Sequence, residues 1–249
     1  MPNRYLIANW KMNVPPEGIE RYFDALGEAG EGNGQLVVAP PFLYVPEVVR
    51  LVRDRVPRAA VAAQNCGDKP SGAFTGEVSP VMLRYHGVGH VIIGHSERRN
   101  LFGESDALIA RKLTAALDAG LTPVLCIGED LKVREAGRVS VFLADQIKAA
   151  ASEALESARE VIVAYEPIWA IGTGRNASGA MVAETVAMIR ESLGRFWPAR
   201  YGQQAPILYG GSVTPDNISD LAANGNIDGY LVGGASLDSG KFLAINAGM

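Results

Sequence analysis

Val161-Ile162-Val163-Ala164-Tyr165 is an uninterrupted apolar run that passes directly into Glu166-Pro167. The run is rich in β-branched residues and lacks the apolar and polar alternation of a strand with one face in water, so it predicts a strand covered on both faces. Such strands are typical of parallel sheets. Seven similar runs lie along the chain, at Tyr5 to Asn9, Leu36 to Ala39, Ala60 to Gln64, Val91 to Ile93, Thr122 to Ile127, Ile207 to Tyr209 and Gly229 to Val232.

Segments with helical periodicity separate these runs. We predict one helix from Ser105 to Ala119, ended by Gly120, because its apolar residues recur at helical spacing. These residues are Ile109, Leu113, Ala116 and Leu117. We predict another helix from Ser140 to Ala158. Its apolar face would consist of Leu143, Ile147, Ala150 or Ala151, and Leu155.

The alternation of strands and helices requires parallel strands joined by right-handed crossovers. Eight such units in 249 residues match the size of a (β/α)8 barrel. The structural alternative is a doubly wound open sheet, but the first strand runs into Asn9-Trp10-Lys11-Met12-Asn13, which lacks the G-x-G-x-x-G spacing. No linker or charge block divides the chain. We therefore predict one α/β domain over residues 1–249, a (β/α)8 barrel of eight parallel strands.

Charge and hydropathy exclude several classes of partner. The net charge is −4 and the basic residues are scattered, so no extended positive field would attract nucleic acid. No apolar run reaches the ~18 residues that a membrane-spanning helix needs. The first residues, Met-Pro-Asn-Arg, also lack the apolar core of a signal peptide. We expect a cytoplasmic protein that binds neither nucleic acid nor membranes.

The cysteines and most of the histidines are predicted to be structural. Cys66 and Cys126 stand in or beside apolar stretches and are interpreted as small buried hydrophobic residues. His86 falls in a predicted turn and His90 opens a strand at the bottom of the barrel. Since no His, Cys and Asp cluster has ligand spacing and no cofactor fingerprint appears, we expect chemistry without metal or cofactor.

Polar residues at the carboxyl ends of the strands are the candidates for chemistry, because a (β/α)8 barrel carries its active site there. Asn9 and Lys11 follow the first strand, and His95 follows the fourth. Glu166 follows the sixth strand directly, and Pro167 restricts it to extended geometry. An amide, a cation, a histidine and a carboxylate would thus meet at one end of the barrel.

Two kinds of loop complete this end of the barrel. Ile168-Trp169-Ala170-Ile171-Gly172-Thr173-Gly174 is an apolar loop with glycines at its far end, and we predict a lid that closes over ligand. Paired glycines follow the last two strands, in Tyr209-Gly210-Gly211-Ser212 and Val232-Gly233-Gly234-Ala235-Ser236. Loops at these places in a barrel commonly bind phosphate through backbone N–H groups. Together the parts suit proton abstraction next to a carbonyl in a small phosphorylated sugar, through an enediolate.

These motifs, in this order, resemble those of the triosephosphate isomerases along nearly the whole chain. The motifs that carry the resemblance are Asn9-Trp10-Lys11-Met12-Asn13, Gly94-His95-Ser96-Glu97-Arg98-Arg99, Tyr165 to Gly174, Tyr209-Gly210-Gly211-Ser212 and Leu231-Val232-Gly233-Gly234-Ala235-Ser236. The resemblance implies interconversion of dihydroxyacetone phosphate and D-glyceraldehyde 3-phosphate in glycolysis and gluconeogenesis, without cofactor or metal.

The resemblance also implies a role for each site residue. Glu166 would move the proton between two carbons, His95 would polarise the substrate oxygens, and Asn9 and Lys11 would orient and neutralise the ligand. Glu97 would be the partner of the lysine, with Ser96 beside it. The backbone amides expected to bind phosphate are those of Gly172, Ser212, Gly233 and Gly234.

A homodimer is the assembly that the resemblance implies, formed through the loop after strand three. Phe74 and Thr75 lie at the tip of that loop, in Gly72-Ala73-Phe74-Thr75-Gly76. The chain departs from the family's pattern at Arg175-Asn176-Ala177, where the lid ends. Two other functions remain open at this point: a catalytically silent barrel that only binds phosphate, and a phosphosugar barrel enzyme with different chemistry.

Overall fold

Eight parallel strands close into a barrel in the computed structural model, which describes residues 4–29, 32–171 and 177–249. Each strand pairs with the next along the chain, and β8 closes the barrel against β1, with Tyr5 opposite Gly229. The predicted (β/α)8 fold, the TIM barrel, is confirmed. The strands are β1 (Tyr5–Asn9), β2 (Gln35–Ala39), β3 (Ala60–Ala63), β4 (His90–Ile93), β5 (Thr122–Ile127), β6 (Ile162–Tyr165), β7 (Ile207–Tyr209) and β8 (Gly229–Val232).

Helices connect the strands and cover the outside of the barrel. They are α1 (Ile19–Glu28), α2 (Val45–Arg55), α3 (Pro80–Tyr85), α4 (Ser96–Phe102), α5 (Asp106–Asp118), α6 (Leu131–Glu135), α7 (Val139–Ala149), α8 (Ala154–Ser157), α9 (Gly179–Phe196), α10 (Tyr201–Gln204), α11 (Ile218–Asn224) and α12 (Ser239–Ala247). The predicted helix from Ser105 to Ala119 is confirmed as α5. The Ser105 side chain caps it by accepting the Leu108 N–H, and Gly120 follows it with φ of 75°.

Successive strand residues belong to two different apolar clusters, which explains why the strands are apolar throughout. Tyr5 and Ile7 point into the barrel, whereas Leu6 and Ala8 pack against the helices. The inner cluster consists of Tyr5, Ile7, Val37, Ala39, Ala62, Ile92, Val124, Cys126, Ile162, Ala164, Leu208 and Leu231. Because side chains alternate with a period of two, the residue that follows an inner position by two again faces the barrel axis.

The predicted helix from Ser140 to Ala158 is wrong, because the segment forms two helices, α7 and α8. The break follows a contact with a distant residue: the indole Nε1 of Trp197 donates to the Ile147 carbonyl at 2.8 Å. In a continuing helix that carbonyl would accept the Ala151 N–H, which instead donates to the Lys148 carbonyl at 3.1 Å. A tertiary hydrogen bond thus accompanies the end of α7, where the local sequence carries no helix-stop residue.

The face predicted for this segment is still buried on both sides of the break. Ala150 and Leu155 are 2% and 0% exposed. The Arg200 guanidinium holds α8 in place by donating to the carbonyls of Leu155 and Glu156. The buried residues of this segment were therefore predicted correctly, although the prediction of one continuous helix was wrong.

The predictions for the two cysteines, His86 and His90 are confirmed. Cys66 and Cys126 are buried free thiols, and burial raises the pKa of Cys66 to about 12. His86 lies just after α3, in a turn, and His90 is the first residue of β4. None of the helices described is long and apolar enough to cross a membrane.

Candidate active site

A cleft of about 270 Å³ lies at the carboxyl end of the barrel and brings most of the predicted site residues together. Glu166 reaches it because it continues the inward series of Ile162 and Ala164 along β6. The cleft is lined by Asn9, Lys11, His95, Glu166, Ile171, Gly210, Gly211, Ser212, Val213, Thr214, Leu231, Gly233, Gly234 and Ala235.

The Glu166 carboxylate is buried, and its two oxygens have different surroundings. Oε2 accepts the backbone N–H of Ser96 at 2.8 Å, and this bond fixes the carboxylate at the start of α4. Oε1 lies 3.0 Å from Nε2 of His95 but has no partner with hydrogen-bond geometry in the described part of the chain. A buried carboxylate oxygen without a partner is costly to maintain, so Oε1 is the oxygen available to a ligand.

His95 caps the N-terminus of α4, and this fixes which ring nitrogen faces the cleft. Its Nδ1 accepts the backbone N–H of Glu97 at 3.2 Å. A nitrogen that accepts a hydrogen bond carries no proton, so the neutral ring holds its proton on Nε2. Nε2 is the nitrogen beside Glu166, and His95 therefore presents an N–H donor to the cleft.

Lys11 has a left-handed backbone, with φ of 53°. This conformation costs a non-glycine residue roughly 1–2 kcal/mol, so its surroundings must hold it. Its N–H donates to Oδ1 of Asn9 at 3.1 Å, and its carbonyl accepts from Nε2 of Gln64 at 2.8 Å. Its Nζ lies 2.6 Å from Oε1 of Glu97, as the resemblance implied.

Gln64 is a residue that the sequence analysis did not single out. The same Nε2 also donates to the Ala39 carbonyl at 2.8 Å, so one amide joins the ends of β1 and β2. The available signal was its position, since it is the polar last residue of the run Ala60 to Gln64.

Glu129 was also missed, although it is fully buried beside the predicted lid. Its Oε1 accepts from Nε1 of Trp169 at 2.9 Å, from Nε of Arg134 at 2.8 Å and from the Tyr165 hydroxyl at 3.1 Å. Burial is the largest cause that raises the pKa of Tyr165, so its hydroxyl stays protonated and donates. These bonds anchor the first part of the loop to the barrel.

Small residues keep the cleft open next to Glu166. A Cβ atom on Gly210 would lie 3.0 Å from Cγ of Glu166, and one on Gly128 would lie 1.7 Å from the Glu166 carbonyl oxygen. Below the carboxylate, burial and then the charge of Glu166 raise the pKa of the Cys126 thiol, which therefore stays neutral. The Glu166 carboxylate therefore packs closely against uncharged residues.

The predicted phosphate loops line the same cleft. Gly233 precedes a 3-10 turn over Gly234–Leu237, and the Ser236 hydroxyl fixes that turn by donating to the Gly233 carbonyl at 2.7 Å. Ser212 also lines the cleft. Gly172, the fourth predicted phosphate residue, lies outside the described residues.

Only the first part of the predicted lid falls within the described residues. Ile168–Ala170 form a 3-10 turn, and Ile171 lines the cleft. Gly172, Thr173 and Gly174 lie outside the described residues, as do Arg175 and Asn176 of the unusual lid end.

Phe74 and Thr75, the predicted dimer residues, do not line the cleft of their own chain. Both are exposed, and Phe74 borders a separate hollow of about 330 Å³ together with Met82 and Phe102. No group of three or more His, Cys, Asp or Glu residues is arranged to hold a metal ion in residues 4–29, 32–171 and 177–249.

Comparison with known proteins agrees with the geometry. A family model described as triosephosphate isomerase matches residues 4–249. The chain is 45% identical over 243 residues to the triosephosphate isomerase of Chloroflexus aurantiacus, covering 96% of each protein. It is 41% identical over 242 residues to that of Methylococcus capsulatus, again covering 96% of each. For the enzyme of Symbiobacterium thermophilum the identity is 44% over 243 residues, covering 96% of this chain and 94% of that protein.

Proposed function

This chain belongs to the triosephosphate isomerase family, whose enzymes interconvert triose phosphates in glycolysis, and we propose that Glu166 is the base of that reaction. The substrates are dihydroxyacetone phosphate and D-glyceraldehyde 3-phosphate. Glu166 takes a proton from the carbon next to the carbonyl, which leaves an enediolate, and returns it to the neighbouring carbon. The observation that supports this role is the buried Oε1, which lies in the cleft without a hydrogen-bond partner among the described residues.

His95 acts as a neutral electrophile in this proposal. Because Nδ1 accepts the Glu97 N–H, the ring offers the Nε2 proton to the two substrate oxygens. The developing charge of the enediolate is stabilised by a donor that is already oriented, which costs no reorganisation in the transition state. The division of roles between a glutamate base and a neutral histidine is the one described for this family.

Lys11 and Asn9 bind and orient the substrate. The Lys11 ammonium supplies positive charge, and Glu97 fixes its position through the 2.6 Å ion pair. Asn9 has its oxygen committed to the Lys11 N–H, so its two amide protons remain for a substrate oxygen. Backbone N–H groups of Ser212, Gly233, Gly234 and Gly172 bind the phosphate at a distance from the reacting carbons.

The loop Ile168 to Gly174 acts as a lid. An enediolate phosphate left in water expels its phosphate by cleavage of the carbon–oxygen bond, so the intermediate must be enclosed. The anchor of Trp169 on Glu129 supports a lid that is attached firmly at its start.

A homodimer is the proposed assembly. Phe74 is 49% exposed at the tip of its loop, and docking against a second copy would remove this apolar surface from water. The loop of one copy would then support the neighbour's Lys11 and His95.

A coupled assay tests the function directly. Each triose phosphate is supplied in turn, without metal or cofactor other than those of the coupling enzyme, and formation of the other is followed. Conversion in both directions is expected. Phosphate binding without conversion would identify a silent barrel, and turnover of a different phosphosugar alone would indicate other chemistry.

A further inference from the structure

Arg99 lies behind the cleft and contacts backbone carbonyls next to both reactive residues. Its side chain is 13% exposed, so it is largely shielded from water. Nε donates to the Gly94 carbonyl at 2.8 Å, and Nη2 donates to the Cys126 carbonyl at 3.1 Å. Nη1 bonds to Asp106 on the outer side. Two backbone carbonyls and one carboxylate thus hold the planar guanidinium in one orientation.

The two carbonyls are the next positions beyond the pairing of β4 with β5. That pairing ends at Ile93 opposite Leu125. Gly94 and Cys126 follow these residues directly, and the Arg99 guanidinium joins them. A side chain therefore connects the two strands at the point where the paired register ends.

Arg99 contacts the chain on both sides of His95. The Gly94 carbonyl belongs to the peptide bond that leads into His95, and the backbone N–H of Arg99 donates to the His95 carbonyl at 3.2 Å. Gly94 has φ of 72°, and a Cβ there would lie 3.1 Å from Nη2 of Arg99. The glycine thus lets the guanidinium approach its carbonyl closely.

The contact with β5 extends to the glutamate. Cys126 precedes Ile127, whose carbonyl accepts the backbone N–H of Glu166 at 2.8 Å. Arg99 is therefore linked to the histidine through one peptide and to the glutamate through two residues of β5. Small displacements between reacting groups can cost about 10²-fold in rate. The contacts of Arg99 therefore bear on the distance between His95 and Glu166, to which the rate is sensitive.

We propose that Arg99 is a positioning residue, which joins the ends of β4 and β5 and so holds His95 at its working distance and orientation relative to Glu166. This inference rests on the proposed function of those two residues. Lysine cannot replace Arg99, because a single ammonium on a flexible stem does not reach two carbonyls and a carboxylate in one plane.

The test compares Arg99→Lys and Arg99→Gln with Asp106→Asn. The Arg99 variants lose the paired carbonyl contacts, whereas Asp106→Asn removes only the charge of the outer partner. We expect the Arg99 variants to lower kcat about tenfold or more with KM within about twofold, and Asp106→Asn to keep kcat within about twofold. Thermal unfolding of all three is measured to compare stability.

A second readout follows the histidine itself. The ¹⁵N chemical shifts of the His95 ring should show one tautomer, with the proton on Nε2, in the unaltered protein and in Asp106→Asn. In the Arg99 variants they should move toward a mixture of tautomers, because the ring is no longer held against the Glu97 N–H.

The outcomes separate this inference from the proposed function. Arg99 variants with unaltered kcat and unaltered ring shifts would overturn the positioning role, as would variants that only unfold or that lose stability alone. If the unaltered protein showed no isomerase activity, the proposed function would fail, while the ring shifts would still decide whether Arg99 positions His95.

Discussion

Backbone donors fix the orientation of the two central side chains. The Ser96 N–H binds Oε2 of Glu166, and the Glu97 N–H binds Nδ1 of His95. Both donors are unpaired N–H groups in the first turn of α4, which every helix leaves without an internal partner. One helix start therefore orients the proposed base and the proposed electrophile together.

Replacing Glu166 by Gln should leave the fold and the affinity for inorganic phosphate unchanged while kcat falls by ~10² to 10⁴, the contribution typical of a positioned base. The amide retains the shape but cannot take the proton. Steady-state kinetics and phosphate inhibition measure the two effects. Glu135→Gln, on an exposed carboxylate of α6, is the matched control. A kcat within about threefold of the unaltered protein would exclude Glu166 as the base.

His95→Ala should also lower kcat, because the enediolate oxygens lose their donor in a site with little water, at a cost of roughly 3 kcal/mol. His86→Ala serves as the control, since His86 is exposed in a turn after α3. Kinetics of both variants decide the role: equal kcat values would return His95 to a structural role as a helix cap.

His90 should make stability depend on pH. Burial lowers its pKa from 6.5 to about 4, and its Nδ1 has no hydrogen-bond partner within the described residues. Between these values the unfolded chain binds a proton that the folded chain does not, so stability falls as pH drops from about 6.5 to about 4. The full effect is on the order of 3 kcal/mol.

Denaturant unfolding of the unaltered protein and of His90→Leu, measured at several pH values, isolates this contribution. The variant should lose less stability across the window, because the carboxylates affect both proteins alike. Parallel pH curves for the two proteins would show that His90 does not titrate in this way.

Residue positions were predictable where they followed from the end of a strand. Glu166 directly follows the apolar run Val161 to Tyr165, and the end of that run marks the edge of the barrel that carries the site. Gln64, Glu129 and Arg99 were not predicted to matter, because each has partners in distant parts of the chain, which the local sequence does not reveal. For Gln64, the only local signal was its position as a polar residue at the end of a predicted strand.

At the scale of elements, the local sequence predicted which residues are buried better than it predicted where a helix is interrupted. All eight strands lie within one residue of their predicted bounds, because covered parallel strands must be apolar on both faces. The helix predicted from Ser140 to Ala158 failed because its break coincides with Trp197, about 50 residues further along the chain. Loops have no comparable burial pattern, so their conformation was left open.

Shortening the loop by removing Ile171 to Thr173 should raise the share of turnovers that end in inorganic phosphate and methylglyoxal. Elimination requires an enediolate that water and solvent protons can reach, and a loop that encloses the intermediate suppresses it. Product analysis measures the ratio of released phosphate to isomerised triose. Ser212→Ala, which keeps both the loop and the backbone N–H of residue 212, should leave this ratio unchanged. Slower isomerisation with no rise in phosphate release would contradict the lid.

At the scale of the whole molecule, several large apolar side chains are exposed around the loop after β3. Phe74, Met82 and Phe102 border one hollow, and they are 49%, 53% and 65% exposed. Leu101 beside them is 74% exposed. Exposed apolar surface of this kind is typical of a protein interface. A self-complementary contact between two copies would bury it on both at once.

Thr75→Arg should therefore weaken association and activity together, because a bulky charge at the loop tip would have to enter the neighbour beside Lys11 and His95. Light scattering at micromolar concentration should give about twice 26.4 kDa for the unaltered protein and a lower mass for the variant. Val141→Arg places the same charge on an exposed apolar position of α7, which is 57% exposed, and should change neither mass nor activity. If the unaltered protein had the mass of one chain, the dimer would be refuted. If Thr75→Arg lowered the mass at unchanged activity, the dimer would stand, but the loop would not support the neighbouring site.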